Sequence, residues 1–447
     1  QKISAEELPE EEENLVLREG AEEEEEEESD GEPRRLCASL CIAPLHLCCA
    51  SCWSLLIAVL TALAYLGKVQ VDIQKESDSW HDAHVTPPEF PRYMGCGGCE
   101  PNVFKSDEDI ARCIEPCFSL KYVLEWEKLA KRLNYSLVYF PSRPGPDGQA
   151  SVNISAWWLP PSPRPGVDPA SAPRIVALHG LASNCNHCGV QSTCYLLRSM
   201  GFGCLTPSVR DYGQSGRSSH PDVMTWGYDY HLDLLGAWDF AVNDPSGVLG
   251  GRLPSSKVGI TGFSKGGLAA AIAFGLERQI PGAWIDSAPY LGLKGMIDAT
   301  IRPYAGFLTP LIREPVWWSA NYFAGLELDR YKPLDLWRNC SGPPRKIAIS
   351  QGAFDSTVPL AQGNMATDLV SGLPNCYDAT VYIPPEYCDG ATHHVEMFEF
   401  PDEMRVILCA FWSGVFLQSP AACGLEALPK LQKWQSPGHL PPGTPAW

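Results

Sequence analysis

The hexapeptide Gly262-Phe263-Ser264-Lys265-Gly266-Gly267 narrows what this chain can fold into more than any other feature. It follows an apolar β-prone run, Val258-Gly259-Ile260-Thr261, and precedes Leu268-Ala269-Ala270-Ala271-Ile272-Ala273-Phe274, which reads as a buried helix. Gly-x-Ser-x-Gly between strand and helix predicts a sharp elbow. The serine takes a strained backbone conformation, and the glycines let strand and helix pass with no room for a Cβ. The Ser264 hydroxyl is then held out at a helix N-terminus, where a nucleophile is useful. A plain glycine-rich turn has the same spacing, so the partners of such a serine have to be found elsewhere in the chain.

The formal charge of −19 misleads until it is located. Residues 1–32 hold sixteen Asp or Glu and two Lys or Arg, so −14 of it lies there and the remainder is only −5. A run such as Glu22 to Glu28 repels itself and has no apolar area to bury, which predicts an acidic solvated tail over residues 1–35. Nothing in the chain is basic enough to imply nucleic acid. From Leu36 to Gly67 there is no Asp, Glu, Lys or Arg, and Leu45 to Leu66 supplies 22 largely apolar positions. That is enough to cross a hydrocarbon core of about 30 Å as a helix, so residues 36–67 are expected to be a membrane anchor. Arg34 and Arg35 precede it, which predicts a cytoplasmic N-terminus and a lumenal or extracellular C-terminal part.

Thirteen of the 18 cysteines lie beyond that segment, a density expected of an oxidising compartment. Cys96, Cys99, Cys113 and Cys117 have a spacing that also admits zinc, and His187 stands between Cys185 and Cys188, but disulfides are the expectation and no metal is required. Asn134, Asn153 and Asn339 open glycosylation sequons. A linker from about Val69 to Arg92, a Cys-rich segment and a helix over Leu120 to Leu133 fill residues 68–133.

Past residue 134, strand-like and helical runs alternate: Ser136 to Phe140, Val152 to Leu159, Arg174 to Leu178, a helix ending at Met200, Cys204 to Pro207, a helix over Tyr228 to Val242, Val258 to Thr261, a helix over Lys265 to Arg278, and Ala283 to Asp286. This predicts an α/β fold with a mainly parallel sheet flanked by helices. Residues 291–340, rich in aromatics and prolines, interrupt the pattern and read as a helical cap. Strands resume at Lys346 to Ser350 and Ala379 to Ile383, and a last helix covers about Asp402 to Leu417. A Pro-rich tail, 418–447, closes the chain.

A nucleophilic serine needs a base to take its proton and a carboxylate to hold that base. Asp355, in Gln351-Gly352-Ala353-Phe354-Asp355-Ser356-Thr357-Val358-Pro359, follows a strand and is expected at its C-terminal end, where α/β sheets build sites. His393, in Gly390-Ala391-Thr392-His393-His394, falls between the last strand and the last helix, with His394 as its rival. The His179-Gly180-Leu181 turn and the N–H of Lys265 are positioned to face a developing oxyanion.

Together these residues resemble the α/β-hydrolase family, and within it the membrane-associated hydrolases related to serine aminopeptidases, a group that includes protein depalmitoylases. The resemblance runs over Ala156-Trp157-Trp158-Leu159-Pro160, His179-Gly180, Arg210-Asp211-Tyr212-Gly213, the elbow, Trp284-Ile285-Asp286-Ser287, Phe354-Asp355-Ser356-Thr357 and Thr392-His393. It implies an α/β-hydrolase domain over residues 134–417. It also implies Ser264 as nucleophile, Asp355 as acid, His393 as base, Leu181 and Lys265 as oxyanion donors, and no cofactor. The sequence departs from the family at Lys265, whose side chain is expected to reach solvent, at Gln351, and at the Cys185-Asn186-His187-Cys188 run. Asp211 and Asp286 are rival carboxylates, read as local supports.

The expected function is a membrane-anchored serine hydrolase acting on a small-molecule acyl or peptide substrate. The alternatives are a scaffold or accessory subunit that keeps the fold without turnover, and a binding module built on the aromatic cap.

Overall fold

Eight strands form one sheet in the order β1-β2-β4-β3-β5-β6-β7-β8 in the computed structural model. The structure describes residues 42–76, 135–145, 148–163, 168–181, 183–185, 188–352, 355, 357–383 and 401–418, and elements are numbered over these. The chain divides into one unit ending at Ala58 and another beginning at Val59, with helix α1 (Ile42–Glu76) running through the boundary.

Strands β1 (Ser136–Pro141) and β2 (Asn153–Leu159) are antiparallel, and β2 is antiparallel to β4 (Gly203–Pro207). From there on, β3 (Arg174–Leu178), β5 (Val258–Phe263), β6 (Gly282–Asp286), β7 (Arg345–Ser350) and β8 (Tyr377–Tyr382) are all parallel. Parallel strands need helices on both faces, which is why β3, β4, β5 and β6 are buried along their whole length.

The period of two sorts the core. Val176, Leu178 and Ile260 pack with α3 (Tyr230–Asn243) and α4 (Lys265–Leu276) on one face. Ile175, Ala177 and Phe263 pack with α2 (Cys188–Ser199) and α9 (Pro401–Val415) on the other. Helix α4 is buried all round, as an apolar helix between sheet and outer helices must be. This strand order, with the serine elbow after β5, is the α/β-hydrolase fold.

Between β6 and β7 the chain is helical, as its composition predicts: α5 (Gly292–Ala305), a 3-10 turn (Gly306–Leu308), α6 (Thr309–Ala324) and α7 (Pro333–Arg338). Buried Asp329 pins it. Its carboxylate accepts from the backbone N–H groups of Leu293 (2.7 Å) and Lys294 (3.0 Å) in the first turn of α5 and from the Trp317 indole (2.8 Å).

One expectation is corrected, and one helix and the cysteine pairing are added. Helix α1 continues to Glu76, so the start of the segment read as linker, from Val69, is helical; no glycine or proline interrupts it there and Val71 is buried. Its apolar window is Ser54–Val71, with mean hydropathy 1.7, long and apolar enough to cross a bilayer. Helix α8 (Leu360–Ser371) is absent from the sequence reading. Disulfides join Cys194 to Cys204, tying α2 to the next strand, and Cys340 to Cys376, whereas Cys185 is a free buried thiol, pushed up to about 12 by desolvation, so no disulfide closes the Cys185 to Cys188 run. The segment holding Cys96, Cys99, Cys113 and Cys117, the helix over Leu120 to Leu133 and His187 lie outside the described residues.

Candidate active site

Register brings the site together. Phe263 pairs with Asp286, Asp286 with Ser350, and Ser350 with Tyr382, so β5 to β8 end in one row. The turns leaving these strands therefore collect on one edge of the sheet.

Ser264 follows β5 and caps α4 at φ 52°, ψ −119°, a conformation a non-glycine residue adopts only under constraint. The constraint is visible: its N–H donates to Asp286 O (2.9 Å) and its carbonyl accepts from Leu268 N–H (2.9 Å). The glycines make the crossing possible. A Cβ at Gly262 would lie under 3.0 Å from backbone atoms of Gly266, and one at Gly266 under 3.0 Å from the carbonyls of Leu178 and His179. A Cβ at Gly180 would stand 3.5 Å from the Ser264 Cβ, which puts the turn leading to Leu181 beside the serine. Lys265, as the first residue of α4, has an N–H with no acceptor inside the helix.

Asp355 is buried beyond β7. Its Oδ1 accepts from the N–H groups of Thr357 and Val358, both 2.8 Å, the local turn an aspartate makes with its own backbone. Its Oδ2 accepts from Gln351 Nε2 (3.0 Å), and that amide also donates to Val358 O (2.9 Å). Gln351, which stood out only as a departure from the family pattern, thus fixes the carboxylate. His393 and His394 lie outside the described residues.

The other histidines of this unit with described side chains are placed elsewhere. The buried His179 ring accepts from Val209 N–H through Nε2 (3.2 Å), leaving Nδ1 to donate to Gly180 O (2.9 Å), so it holds the turn rather than moving protons. His231 is buried in α3 and is lowered to about 3, first by desolvation and then by Arg210 and Arg143. His220 is in the loop after β4, where its ring meets Ser219. The rival carboxylates serve locally: Asp211 accepts from Ser218 N–H (2.7 Å), and Asp286 accepts from Ser287 Oγ (3.0 Å).

The Lys265 side chain does not reach solvent. It is 3% exposed, with its ammonium 4.1 Å from the Tyr230 ring centroid, 4.7 Å from that of Tyr212 and 3.4 Å from the Tyr212 hydroxyl. Beneath it is a network that sequence reasoning missed. Arg210 donates to Asp233 (2.7 Å) and Asp229 (2.9 Å), all three buried. The signal was there in the acidic spacing at Asp229 and Asp233 after Arg210, but only packing shows that they converge.

Burial lowers the Lys265 ammonium from 10.5 to about 7, against the pull of Asp229, Asp211 and Asp233. Between pH 7 and 10.5 the folded chain then holds less proton at this site than the unfolded chain. The stability this group confers is lowest below pH 7 and rises with pH through that window. Relative to Lys265→Met, the intact chain is expected to gain about 2–3 kcal/mol between pH 7 and 9. Chemical denaturation of both in detergent measures this, and a difference that does not change with pH refutes it.

No family model matches the chain, and no curated protein is found to be similar to it. Among solved structures it is similar to an esterase of Pyrococcus furiosus at 19% identity and TM-score 0.45, over 68% of this chain and 93% of that one. It is similar to an acylaminoacyl peptidase of Pyrococcus horikoshii at 16% identity and TM-score 0.45, over 68% and 45%, and to Est1E of Butyrivibrio proteoclasticus, bound to ferulic acid, at 16% and 0.39, over 61% and 98%. The fold is carried by this chain's own strand order and elbow.

Proposed function

We propose that this chain is a membrane-anchored serine hydrolase that cleaves an ester, thioester or amide through an acyl-enzyme on Ser264. The observation that carries the reading is the strained serine at the N-terminus of α4, beside the Gly180 turn and on the same sheet edge as a buried, hydrogen-bonded Asp355. A lone strained residue has structural explanations, but strain, close glycine packing and an oriented carboxylate at adjacent strand ends fit nucleophilic catalysis.

In this mechanism Ser264 Oγ attacks the substrate carbonyl while an imidazole takes its proton. The tetrahedral oxyanion is met by the N–H groups of Lys265 and Leu181, and the imidazolium returns the proton to the leaving group as the C–O, C–S or C–N bond breaks. Water repeats the sequence to release the acid. With His179 bonded into the turn after β3 and His231 buried in α3, the base is assigned to His393, with His394 as its rival, in the segment between β8 and α9. No metal or cofactor takes part in these steps. The two disulfides suit a lumenal or extracellular domain, with α1 as the anchor. The alternative scaffold reading shares the fold and predicts an unreactive serine.

The test is fluorophosphonate labelling of the full chain in detergent. A single adduct is expected on the peptide containing Ser264. Asp355→Asn is expected to slow labelling by about 10³–10⁴-fold, since the base loses the group that holds its tautomer. Absence of an adduct in folded protein, or an adduct on another serine, overturns the proposal.

A further inference from the structure

Helix α6 carries its large apolar side chains on the wrong side for a helix in water. Toward the core it presents Thr309, Val316, Ala320 and Ala324. Outward it presents Leu311, Trp318 and Tyr322, which are 72%, 64% and 81% exposed. With Pro315 they recur at steps of four, three and four residues, which confines them to an arc of about 60° with no charge among them. At the tip of the α5–α6 hairpin Tyr304 is 90% and Phe307 89% exposed. The hairpin's charges pair with one another instead, Lys294 with Glu314, Arg302 with Asp298, and Arg313 with both acids. A contiguous face of this kind marks a surface that is covered in use.

What covers it is indicated by its neighbour. Ser319, next to Trp318, donates to Ala64 O of α1 at 2.8 Å. A Cβ on Gly67 would lie 2.5 Å from Ser319 Cβ, so this glycine lets the two helices touch. Further along α1, Met224 N–H donates to Val71 O at 3.3 Å. The same stretch of α1 leaves Val59, Leu60, Tyr65 and Leu66 exposed. With Leu45 to Leu66 of α1 as the bilayer span, Ala64 stands at the boundary and α6 lies within one helix diameter, about 10 Å, of the lipid. Trp and Tyr rings with an apolar body and a polar tip suit the headgroup boundary at that depth.

We infer that the α5–α6 hairpin is a second membrane-seating element, whose Leu311, Trp318, Tyr322, Tyr304 and Phe307 face rests in the phospholipid interface beside α1. The inference rests on the membrane reading of α1 and stands apart from hydrolysis. The absence of charge on the stripe makes the attraction apolar, so zwitterionic lipid suffices.

The experiment places the photo-crosslinking residue p-benzoylphenylalanine singly at position 60, 318, 322 or 248 of the full chain, reconstituted in phosphatidylcholine vesicles. Val248 is the control: it is exposed in the loop before β5, at the end of the sheet opposite the strand ends that bear the cap. Lipid adducts are expected at 60, 318 and 322, several-fold above 248. Adducts at 60 alone overturn the inference, as do crosslinks from 318 and 322 to a second copy of the chain. No adduct at 60 removes the anchor it depends on and overturns it too. None of these readouts depends on turnover, so failure here is distinct from failure of the hydrolase proposal.

Discussion

Ser264→Ala is expected to lower turnover of an activated ester by about 10⁴–10⁶-fold while leaving the melting temperature unchanged. The fold is indifferent because the hydroxyl makes no capping hydrogen bond to α4, and alanine bears the same backbone strain at φ 52° as serine. Activity is not indifferent, because the attacking oxygen is lost while the Gly180 turn beside it stays in place. Hydrolysis of a p-nitrophenyl ester by both proteins in detergent, with a thermal melt of each, reads the two quantities separately. Equal rates would place any hydrolysis elsewhere and leave the scaffold reading standing.

Gly266→Ala is expected to be among the most damaging single methyls at the described glycines. A Cβ there meets the carbonyls of Leu178 and His179 at under 3.0 Å, and these are backbone atoms at the end of β3 that cannot turn aside as a side chain would. Relief requires α4 and β3 to separate. Overpacking of this kind costs several kcal/mol, about 3–5 where backbone is trapped on both sides. The displacement falls on the turn that carries Leu181 past Ser264. A shift of about 1 Å there costs on the order of a hundredfold in rate even in molecules that stay folded. Gly247→Ala is the control: it has open space around its Cβ position and only a positive φ of 70° to oppose it, for about 1–2 kcal/mol. Similar melting temperatures for the two variants would show that the β3 to α4 crossing is looser than described.

The sheet was legible because its signals are local. Each of the eight strands is a short β-prone run bounded by turn residues, and parallel pairing shows as unbroken burial in β3, β4, β5 and β6. Helix α8 was not legible. Leu360 to Ser371 carries Gly363, Asn364 and Thr367, residues of poor helix propensity, and it forms because it packs beside β7 and β8. The extension of α1 past Val69 has the same cause, since Gln70 and Asp72 give no apolar run and only the burial of Val71 reveals a docked helix end.

The elbow was likewise legible, because a tight strand-to-helix crossing can be made only with glycine on both sides of the serine, and that requirement is written in residue types. Its surroundings were not. Lys265 reads as a solvent-facing lysine from its position, yet the chain closes Tyr212 and Tyr230 over it and sets Arg210, Asp229 and Asp233 beneath. The same holds for Gln351, which acquires its role only when the turn after β7 folds Asp355 back onto it. By itself the sequence determined the α/β class, the anchor-length helix and the identity of the nucleophile candidate, all fixed by periodicity, hydropathy and backbone sterics along short stretches of chain. Only the tertiary structure decided which charges are buried together and which apolar face is left bare, because both depend on contacts between residues far apart in the chain.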